Sequence, residues 1–312
     1  MKEDELIQRL TAGAPANKRL RLGPGDDCAV LDCDAPGLWE LFKTDAVVEG
    51  VHFEPDADPG LVGRKALARC LSDIAAMGGT PSAALVTLGL PSPPDTARLE
   101  ALYRGLYALA REYEVAVAGG ETVAGAGRLF LSVAALGFVE KERCILRRGA
   151  RPGDALFVTG ELGGSIAGKH LTFEPRVREA RWLTNRFALH AMMDLSDGLA
   201  SDLPRLLRAS GVGAELLAEA LPLSRAAKVR FRSGATRKRP LEAALTDGED
   251  YELLFAVASK DAVPLLDAWK EAFPETRLSC IGKITSGGGV TIRERKSVRR
   301  MELNGYDHLT QS

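Results

Sequence analysis

Acidic residues beside glycine, or at the ends of apolar segments, are the residues of this 312-residue chain whose types and spacing suggest chemistry. An aspartate that ends a hydrophobic strand costs free energy to desolvate unless a cation or a hydrogen-bond donor meets it. Carboxylate oxygens are also what Mg²⁺ prefers, together with water and substrate phosphates. The candidates lie in Gly25-Asp26-Asp27, Lys43-Thr44-Asp45, Ser72-Asp73, Gly119-Gly120-Glu121-Thr122, Asp194-Leu195-Ser196-Asp197-Gly198 and Asp247-Gly248-Glu249-Asp250.

Each of these acidic segments also has an ordinary interpretation. Asp-Gly and Gly-Asp pairs are common turn formers, and a lone Asp73 in a helix could simply be solvated. Asp194 and Asp197 share a helix face only if the helix has already begun, and Ser196 or Asp197 could equally be its N-terminal cap. The residues alone therefore allow a divalent-metal site without requiring one.

The segments that carry these residues alternate between strand and helix patterns. Apolar residues recur every three or four positions from Pro59 to Met77, which predicts a helix that Gly78-Gly79 ends. Asp95 is expected to cap a second helix that reaches about Glu114. Further helices are expected around 175–189, up to Gly211 and at 261–272. Strands are predicted in CAVLDC, LWELFKTDAVV, AALVTLGL, VAVAGG, LFLSVAALGFV, ALFVTG, YELLFAV, LSCIGKI and GVTIRE.

A cluster of basic residues, glycine and proline in ILRRGARPGD indicates a junction between two domains. We expect an α/β (α+β) protein with an N-terminal domain over residues 1–147 and a C-terminal α/β domain over 148–312. The strands AALVTLGL and LFLSVAALGFV are apolar on both faces, as is typical of strands covered on two sides.

Composition excludes several classes of protein. The formal net charge of −1 gives no global attraction for nucleic acid or an anionic membrane. The chain has no apolar run of the length that spans a bilayer, and its start lacks a signal-peptide pattern. Its 5 cysteines are scattered, with no C-x-x-C spacing, which argues against a disulfide framework and a zinc site. A cytoplasmic enzyme with reduced thiols is expected.

The order of the motifs identifies a family. GPGDDCAVL, KTDAVVEGVHF, KALARCLSDIAAMGG, VAGGETVAG, LRRGARPGDALFVTG, DLSDGLASDL, DGEDYELLF and NGYDHL follow one another along the chain. Together they resemble thiamine-monophosphate kinases, whose superfamily includes aminoimidazole ribonucleotide synthetase, selenophosphate synthetase and a hydrogenase maturation protein. The resemblance covers residues 23–308. It implies phosphorylation of thiamine monophosphate by ATP with several Mg²⁺ ions, in a homodimer whose N-terminal sheets form a barrel across the two-fold.

The resemblance also implies roles for individual residues. Mg²⁺ ligands are expected at Asp27, Thr44, Asp45, Asp73, Glu121, Asp194 and Asp197. ATP contacts are expected at Tyr103, Gly120, Glu121, Arg147 and Ser196, and substrate contacts at His52, Glu249 and Tyr306. No residue is expected to act as a general base, because a phosphate monoester with its second pKa near ~6 is already dianionic at neutral pH.

Departures from the family pattern bear on metal and substrate binding. Lys43 stands where the family often has Ser or Thr, which removes an oxygen ligand and adds a cation. Glu121 stands where an aspartate is usual and reaches one methylene further. Residues 163–176 are shorter than the family's usual segment, which affects the choice of acceptor.

Other functions remain open at this stage. GGSIAGK at 163–169 fits the G-x-x-x-x-G-K pattern of P-loop NTPases, but His170 follows where that motif needs Ser or Thr for Mg²⁺. A superfamily relative that activates an amide or a carboxylate by phosphorylation is an alternative. So is a non-catalytic nucleotide-binding paralogue, against which the retained acidic residues speak.

Overall fold

The computed structural model describes residues 3–295 and 297–301, and these form two β-sheets with helices packed around them. The helices are α1 (Glu3–Thr11), α2 (Pro59–Ala76), α3 (Thr96–Glu112), α4 (Lys169–Thr172), α5 (Val177–Arg186), α6 (Leu199–Ser210), α7 (Arg225–Arg232), α8 (Pro240–Thr246) and α9 (Ala262–Ala272). The strands are β1 (Leu20–Leu22), β2 (Ala29–Leu31), β3 (Leu38–Val48), β4 (Thr80–Leu90), β5 (Ala116–Ala124), β6 (Phe130–Glu140), β7 (Ala155–Thr159), β8 (Leu189–Asp194), β9 (Gly213–Leu217), β10 (Leu253–Val257), β11 (Leu278–Thr285), β12 (Gly289–Glu294) and β13 (Ser297–Arg300).

The first sheet has the strand order β1-β2-β3-β6-β4-β5, and its pairs are antiparallel except for the parallel pair of β4 and β5. Alternate residues of β6, such as Leu131, Val133 and Ala135, are buried, while the residues between them are half-buried. This period of two is what a sheet covered on one face shows. The covering helix is α2, which contacts β3, β4 and β6.

The second sheet has the order β13-β12-β9-β11-β7-β10-β8. Every residue of β7 and β10 is buried, so this part of the sheet is covered on both faces. Phe157 and Phe255 pack on one face with Trp269 of α9, while Val158 lies on the other with Leu203 of α6. Strand β8 ends at Asp194, and the loop that follows it carries Ser196 and Asp197.

Helix α2 lies between the two sheets and contacts α5 and β8 as well as the first sheet. Asp58 caps it by accepting hydrogen bonds from the backbone N–H groups of Gly60 and Leu61, and Pro59 takes the first helical position, where its missing N–H costs nothing. The helix buries side chains on almost all sides, including the charged Lys65 and Asp73. A helix in this position can place its side chains in contact with residues of both halves of the chain.

The α/β fold class expected from the sequence is confirmed. The long predicted elements are present, and α2 ends at the expected glycines. The charged helix expected at 175–189 is shorter, because Leu189 already belongs to β8. The sequence patterns do not predict the helices α1, α4, α7 and α8 or the strands β1, β9 and β13, each of which is nine residues long or shorter. No helix in the described ranges is long and apolar enough to cross a membrane.

Candidate active site

Three aspartates from separate segments meet in the interior. Asp27 lies in the loop before β2, Asp73 in the last turns of α2, and Asp194 is the last residue of β8. One carboxylate oxygen from each lies within 4.8 Å of the other two, and all three residues are buried. The chain therefore brings together, in three dimensions, acidic residues that are up to 167 positions apart in the sequence (194 minus 27).

Among the described residues, these three carboxylates have two cations in contact, Arg147 with Asp27 and Lys43 with Asp73, so negative charge is in excess. Asp194 accepts a hydrogen bond of 2.5 Å from the Ser72 hydroxyl, and its pKa is raised to about 7 by burial and by the charge of Asp27. Burial also raises the pKa of Asp73 well above its usual range, although Lys43 opposes the shift. Asp27 Oδ2 is buried and has no hydrogen-bond partner among the described residues. A buried cluster of carboxylates with too little positive charge around it is energetically unfavourable unless a cation binds to it.

The donor set fits a hard divalent cation. All the converging ligand atoms are carboxylate oxygens, which suit Mg²⁺ and offer none of the sulfur or nitrogen ligands that zinc favours. The orphaned Asp27 Oδ2 supplies a buried acceptor for such an ion. The site can thus hold Mg²⁺ through Asp27, Asp73 and Asp194.

Arg147 links the junction segment to the first of these aspartates. Its guanidinium donates from Nη2 to Asp27 Oδ1 at 2.6 Å and from Nε at 3.2 Å. Its backbone N–H donates to the carboxylate of Asp26, whose pKa burial and Asp27 raise to about 7. Arg147 thus contacts the aspartate cluster, and its guanidinium is a cation that can bind an anionic ligand there.

Strand β3 places Lys43 and Asp45 on one face and Thr44 on the other. The Lys43 Nζ lies 2.9 Å from Asp73 Oδ1 and 3.8 Å from Asp45 Oδ2. Arg69 donates to Asp45 Oδ1 at 3.2 Å. Burial raises the pKa of Asp45, but the two cations outweigh it and hold that pKa below its ordinary value. The Thr44 hydroxyl, by contrast, is exposed and lies 3.4 Å from the Ser132 hydroxyl.

Ser196 and Asp197 lie in the loop between β8 and α6. The backbone carbonyl of Ser196 accepts a 2.6 Å hydrogen bond from the Glu249 N–H. Asp197 forms an ion pair with Arg205, which also contacts Asp202 and Asp4. The helix-cap alternative is not what the structure has, because the Gly198 position preceding α6 carries no side-chain cap.

A cavity of about 340 Å³ opens next to this loop. Its lining includes His52 and Glu249, the expected substrate residues, together with Arg69, Ser196, Asp197 and Tyr251. Glu249 adopts a positive φ of 53°, which turns its backbone sharply at the cavity wall. The His52 Nδ1 accepts a hydrogen bond from the Val48 N–H at 3.1 Å, which fixes the ring.

The fully buried Lys65 connects the residues on either side of this cavity. Its ammonium group donates to the His52 carbonyl at 2.6 Å and lies 2.7 Å from Glu249 Oε1. Burial lowers the pKa of Lys65, and Glu249 opposes that shift. Lys65 thus bonds the segment after β3 to the segment before β10.

Sequence reasoning missed Lys65 and Arg69, although a signal was available. Lys65, Arg69 and Asp73 are four residues apart on α2, so they form one stripe with steps of about 6 Å. Lys65 pairs with Glu249, which lines the cavity. Arg69 lines the cavity and pairs with Asp45, and Asp73 belongs to the aspartate cluster. Charged residues at this spacing on a helix that is otherwise apolar indicate buried partners.

The remaining expected nucleotide residues lie away from the cluster within one chain. Glu121 is exposed on the edge strand β5, three strands from Asp45, or about 14 Å across the sheet. Gly120 has no room for a side chain, since an added Cβ would lie 1.8 Å from the Val86 carbonyl oxygen. Tyr103 packs on Tyr107 near the start of α2, roughly 15 Å along the helix from Asp73. Tyr306 lies outside the described residues.

The glycine-rich segment at 163–169 does not form a phosphate-binding loop. The backbone N–H groups of Gly163 and Gly164 donate to the carboxylates of Asp250 and Asp247. Lys169 forms an ion pair with the buried Glu252 at 2.8 Å. The donors that a P-loop would offer to phosphates are occupied by the protein's own acids.

Comparisons with known proteins agree with this fold. The chain matches the family model "AIR synthase related protein, N-terminal domain" over residues 25–139 and the corresponding C-terminal domain model over residues 151–295. These matches define a two-domain protein of the AIR synthase related class.

Individual relatives narrow the class to one family. A thiamine-monophosphate kinase of Rhodopirellula baltica is 43% identical over 299 residues, which is 93% of this chain and 92% of the relative. The Bacillus subtilis thiamine-monophosphate kinase is 33% identical, with 99% of each chain covered. A solved structure of AaThiL complexed with AMPPCP and TMP has a TM-score of 0.83 at 31% identity, covering 98% of this chain and 97% of that one. The chain belongs to the thiamine-monophosphate kinase family and is a kinase.

Proposed function

We propose that the chain transfers the γ-phosphoryl group of ATP to thiamine monophosphate, with the help of Mg²⁺, and so forms thiamine diphosphate. The observation that carries this is the meeting of Asp27, Asp73 and Asp194, together with the loop after Asp194, which lines the same cavity as His52 and Glu249. The structure of a 31% identical protein with AMPPCP and TMP bound adds support, because it is similar over almost the whole chain.

The chemistry of the acceptor explains why the site is built from acids and cations. A dianionic phosphate oxygen is already a nucleophile, so the obstacle is repulsion between two polyanions. Mg²⁺ held by Asp27, Asp73 and Asp194 would neutralise phosphate oxygens. Arg147, which pairs with Asp27, and Arg69, which pairs with Asp45, add fixed positive charge. We propose direct in-line transfer to the acceptor with no covalent enzyme intermediate.

The remaining assignments follow the family resemblance. We propose that Asp45 and Asp197, at the margins of the cluster, bind further ions that arrive with the nucleotide. Ser196 would contact the nucleotide from the same loop. His52 and Glu249 would bind the thiamine part of the acceptor, with Lys65 holding them in place. Thr44, Tyr103, Gly120, Glu121 and Tyr306 stay predicted contacts.

A second copy of the chain would complete the first sheet, and we propose a homodimer. The sheet face opposite α2 exposes the apolar side chains of Phe42, Leu85 and Phe138. The edge strand β5 pairs only with β4 within the described residues, and most of it is exposed. The unpaired edge of β5 and the exposed apolar face of the sheet favour association with another chain. Light scattering should give twice the 33.4 kDa chain mass, whereas a monomer would contradict the proposal.

The division of the chain and its location are part of the same proposal. We propose that residues 1–147 form the dimerising domain that binds ATP and Mg²⁺, and that residues 148–312 form the domain that completes the site. A cytoplasmic location fits enzymes that use ATP and reduced thiols.

An assay of acceptors tests the function. Purified protein with ATP and Mg²⁺ is given thiamine, thiamine monophosphate or an unrelated phosphate monoester, and products are separated by chromatography. We expect thiamine diphosphate from thiamine monophosphate, in a 1:1 ratio with ADP, and no product from thiamine. Phosphorylation of an amide or carboxylate instead would identify a different superfamily activity. Nucleotide binding without turnover would identify a non-catalytic paralogue.

A further inference from the structure

Lys43 occupies a position inside the acidic site. The alternation of β3 turns its side chain to the face that carries the buried Leu41 and Val47, and not to the exposed face of Thr44. Its ammonium group lies between two carboxylates, 2.9 Å from Asp73 Oδ1 and 3.8 Å from Asp45 Oδ2. A hard divalent ion that joined these two oxygens would need the same space, because Mg²⁺ binds oxygen at roughly 2.1 Å.

The distribution of charge shows which part of the site still lacks a cation. Asp45 has both Lys43 and Arg69, and Asp73 has Lys43. Asp27 uses one oxygen for Arg147, while its other oxygen is orphaned. Asp194 has a hydroxyl partner in Ser72. The unbalanced negative charge therefore lies at Asp194 and at the unpartnered oxygen of Asp27.

We propose that the Lys43 ammonium replaces a divalent cation between Asp45 and Asp73, so that the nucleotide-free chain binds one ion fewer than it would with a neutral residue at position 43. This inference rests on the metal-binding part of the proposed function. Lysine is protonated at neutral pH, and the carboxylates 2.9 Å and 3.8 Å from the Lys43 ammonium group favour its charged form.

A fixed cation would change how the enzyme depends on its metal. An ammonium group contributes a single charge and cannot be removed by a chelator, whereas a divalent ion contributes two and exchanges with solution. We expect the Lys43→Thr enzyme to need a several-fold higher Mg²⁺ concentration for half-maximal rate. Its additional ion must be recruited from solution before the site is balanced.

Counting bound Mn²⁺ tests the inference without any substrate. Free Mn²⁺ is measured by electron paramagnetic resonance during titration of the nucleotide-free protein. We expect Lys43→Thr to bind one more Mn²⁺ per chain than the unmodified protein, and the near-isosteric Lys43→Gln to do the same if Lys43→Thr folds poorly. Lys43→Arg, which keeps the charge, should show the unmodified count. The matched control is Lys270→Thr, since Lys270 is an exposed residue of α9 and its loss changes the net charge equally.

A second substitution locates the additional ion. Adding Asp45→Asn to Lys43→Thr should remove the extra Mn²⁺. Equal counts in the unmodified, Lys43→Thr and Lys43→Gln proteins would overturn the inference, as would an extra ion that survives the loss of Asp45. If the counts change as expected but no thiamine diphosphate forms, only the proposed acceptor reaction fails. Formation of thiamine diphosphate with unchanged Mn²⁺ counts would overturn the proposed role of Lys43 alone.

Discussion

Two buried groups of charged residues lie in different parts of this molecule and have opposite electrostatics. Glu252 in the second sheet is buried and accepts hydrogen bonds from Lys169, Arg176 and the Thr159 hydroxyl at 2.7–2.9 Å. Although burial raises the pKa of Glu252, these cations lower it to about 2. Asp194 is equally buried, yet its pKa is raised to about 7.

The difference between the two groups separates structure from function. A buried carboxylate with all its partners in place holds segments together, as Glu252 joins β7, α4 and the segment before α5. Carboxylates that face one another without enough cations destabilise the folded chain, and such an arrangement persists where it serves a ligand. The aspartate cluster is therefore the part of the molecule that is completed by something outside the chain.

The largest expected effect comes from neutralising the aspartate that reaches the centre of the cluster. Asp73→Asn should lower the rate of thiamine diphosphate formation by about 10³-fold, because the site loses an ion ligand. The fold should persist, since Asn keeps the size of the side chain and Lys43 retains Asp45 as a partner. Steady-state rates and circular dichroism would check both points. A folded variant with undiminished turnover would remove Asp73 from the mechanism.

Neutralising the balanced group should affect stability instead. Glu252→Gln leaves Arg176 and Lys169 without their buried counterion, so the free energy of unfolding at pH 7 should fall by about 3 kcal/mol. The folded pKa of about 2 lies below the ordinary 4.5, so this contribution is present above pH 4.5 and is lost as the pH falls towards 2. Urea titrations of both proteins at pH 7 and pH 3 should show the difference shrinking. A constant difference would contradict the pairing.

The unbalanced group should respond to pH in the opposite direction. Because the folded pKa of Asp194 lies near 7 and above its ordinary 3.8, the folded state holds its proton longer, and stability without metal falls as pH rises from about 4 through 7. Asp194→Asn should therefore be more stable than the unmodified protein at pH 8 in EDTA, by roughly 1–3 kcal/mol. Saturating Mg²⁺ should reduce or reverse this order. Denaturation curves that coincide at pH 8 in EDTA would refute the expected charge repulsion.

The smallest effect is expected at a paired carboxylate on the surface. Glu140 at the end of β6 binds Arg181 of α5, and this hydrogen bonding lowers its pKa to about 2. Solvent screens the pair because the Glu140 side chain is 38% exposed, so Glu140→Gln should cost under about 1 kcal/mol. Thermal melts at low and high salt would measure it. A loss of stability as large as that for Glu252→Gln would mean that burial does not determine how much such an ion pair contributes to stability.

The contrast also explains what could be predicted from the sequence. Asp27, Asp73 and Asp194 are recognisable because each belongs to a motif in the family's order, and the period of α2 fixes where Asp73 points. The spacing of Lys65 and Arg69 on α2 indicates that they have buried partners, but it does not identify Glu249 and Asp45, which meet them only when the two sheets dock against α2.

Other parts of the site could have been read more closely. Thr44 and Asp45 are neighbours on one strand, so a period of two already sends their side chains to opposite faces. Glu121 and Tyr103 are assigned by the family resemblance, Glu121 in place of the usual aspartate, but nothing in the sequence states that they lie far from Asp73 within one chain. Short helices such as α7 are hard to predict from their own residues, because four of its 8 residues are basic and Ala227 is its buried residue.

The most direct test of the account is metal binding by the two kinds of buried acid. Mn²⁺ titrations of the unmodified, Asp194→Asn and Glu252→Gln proteins can be followed by electron paramagnetic resonance without nucleotide. We predict that Asp194→Asn loses the tightly bound ion while Glu252→Gln retains it. Unchanged Mn²⁺ binding by a folded Asp194→Asn protein would contradict the claim that the aspartate cluster is the metal site.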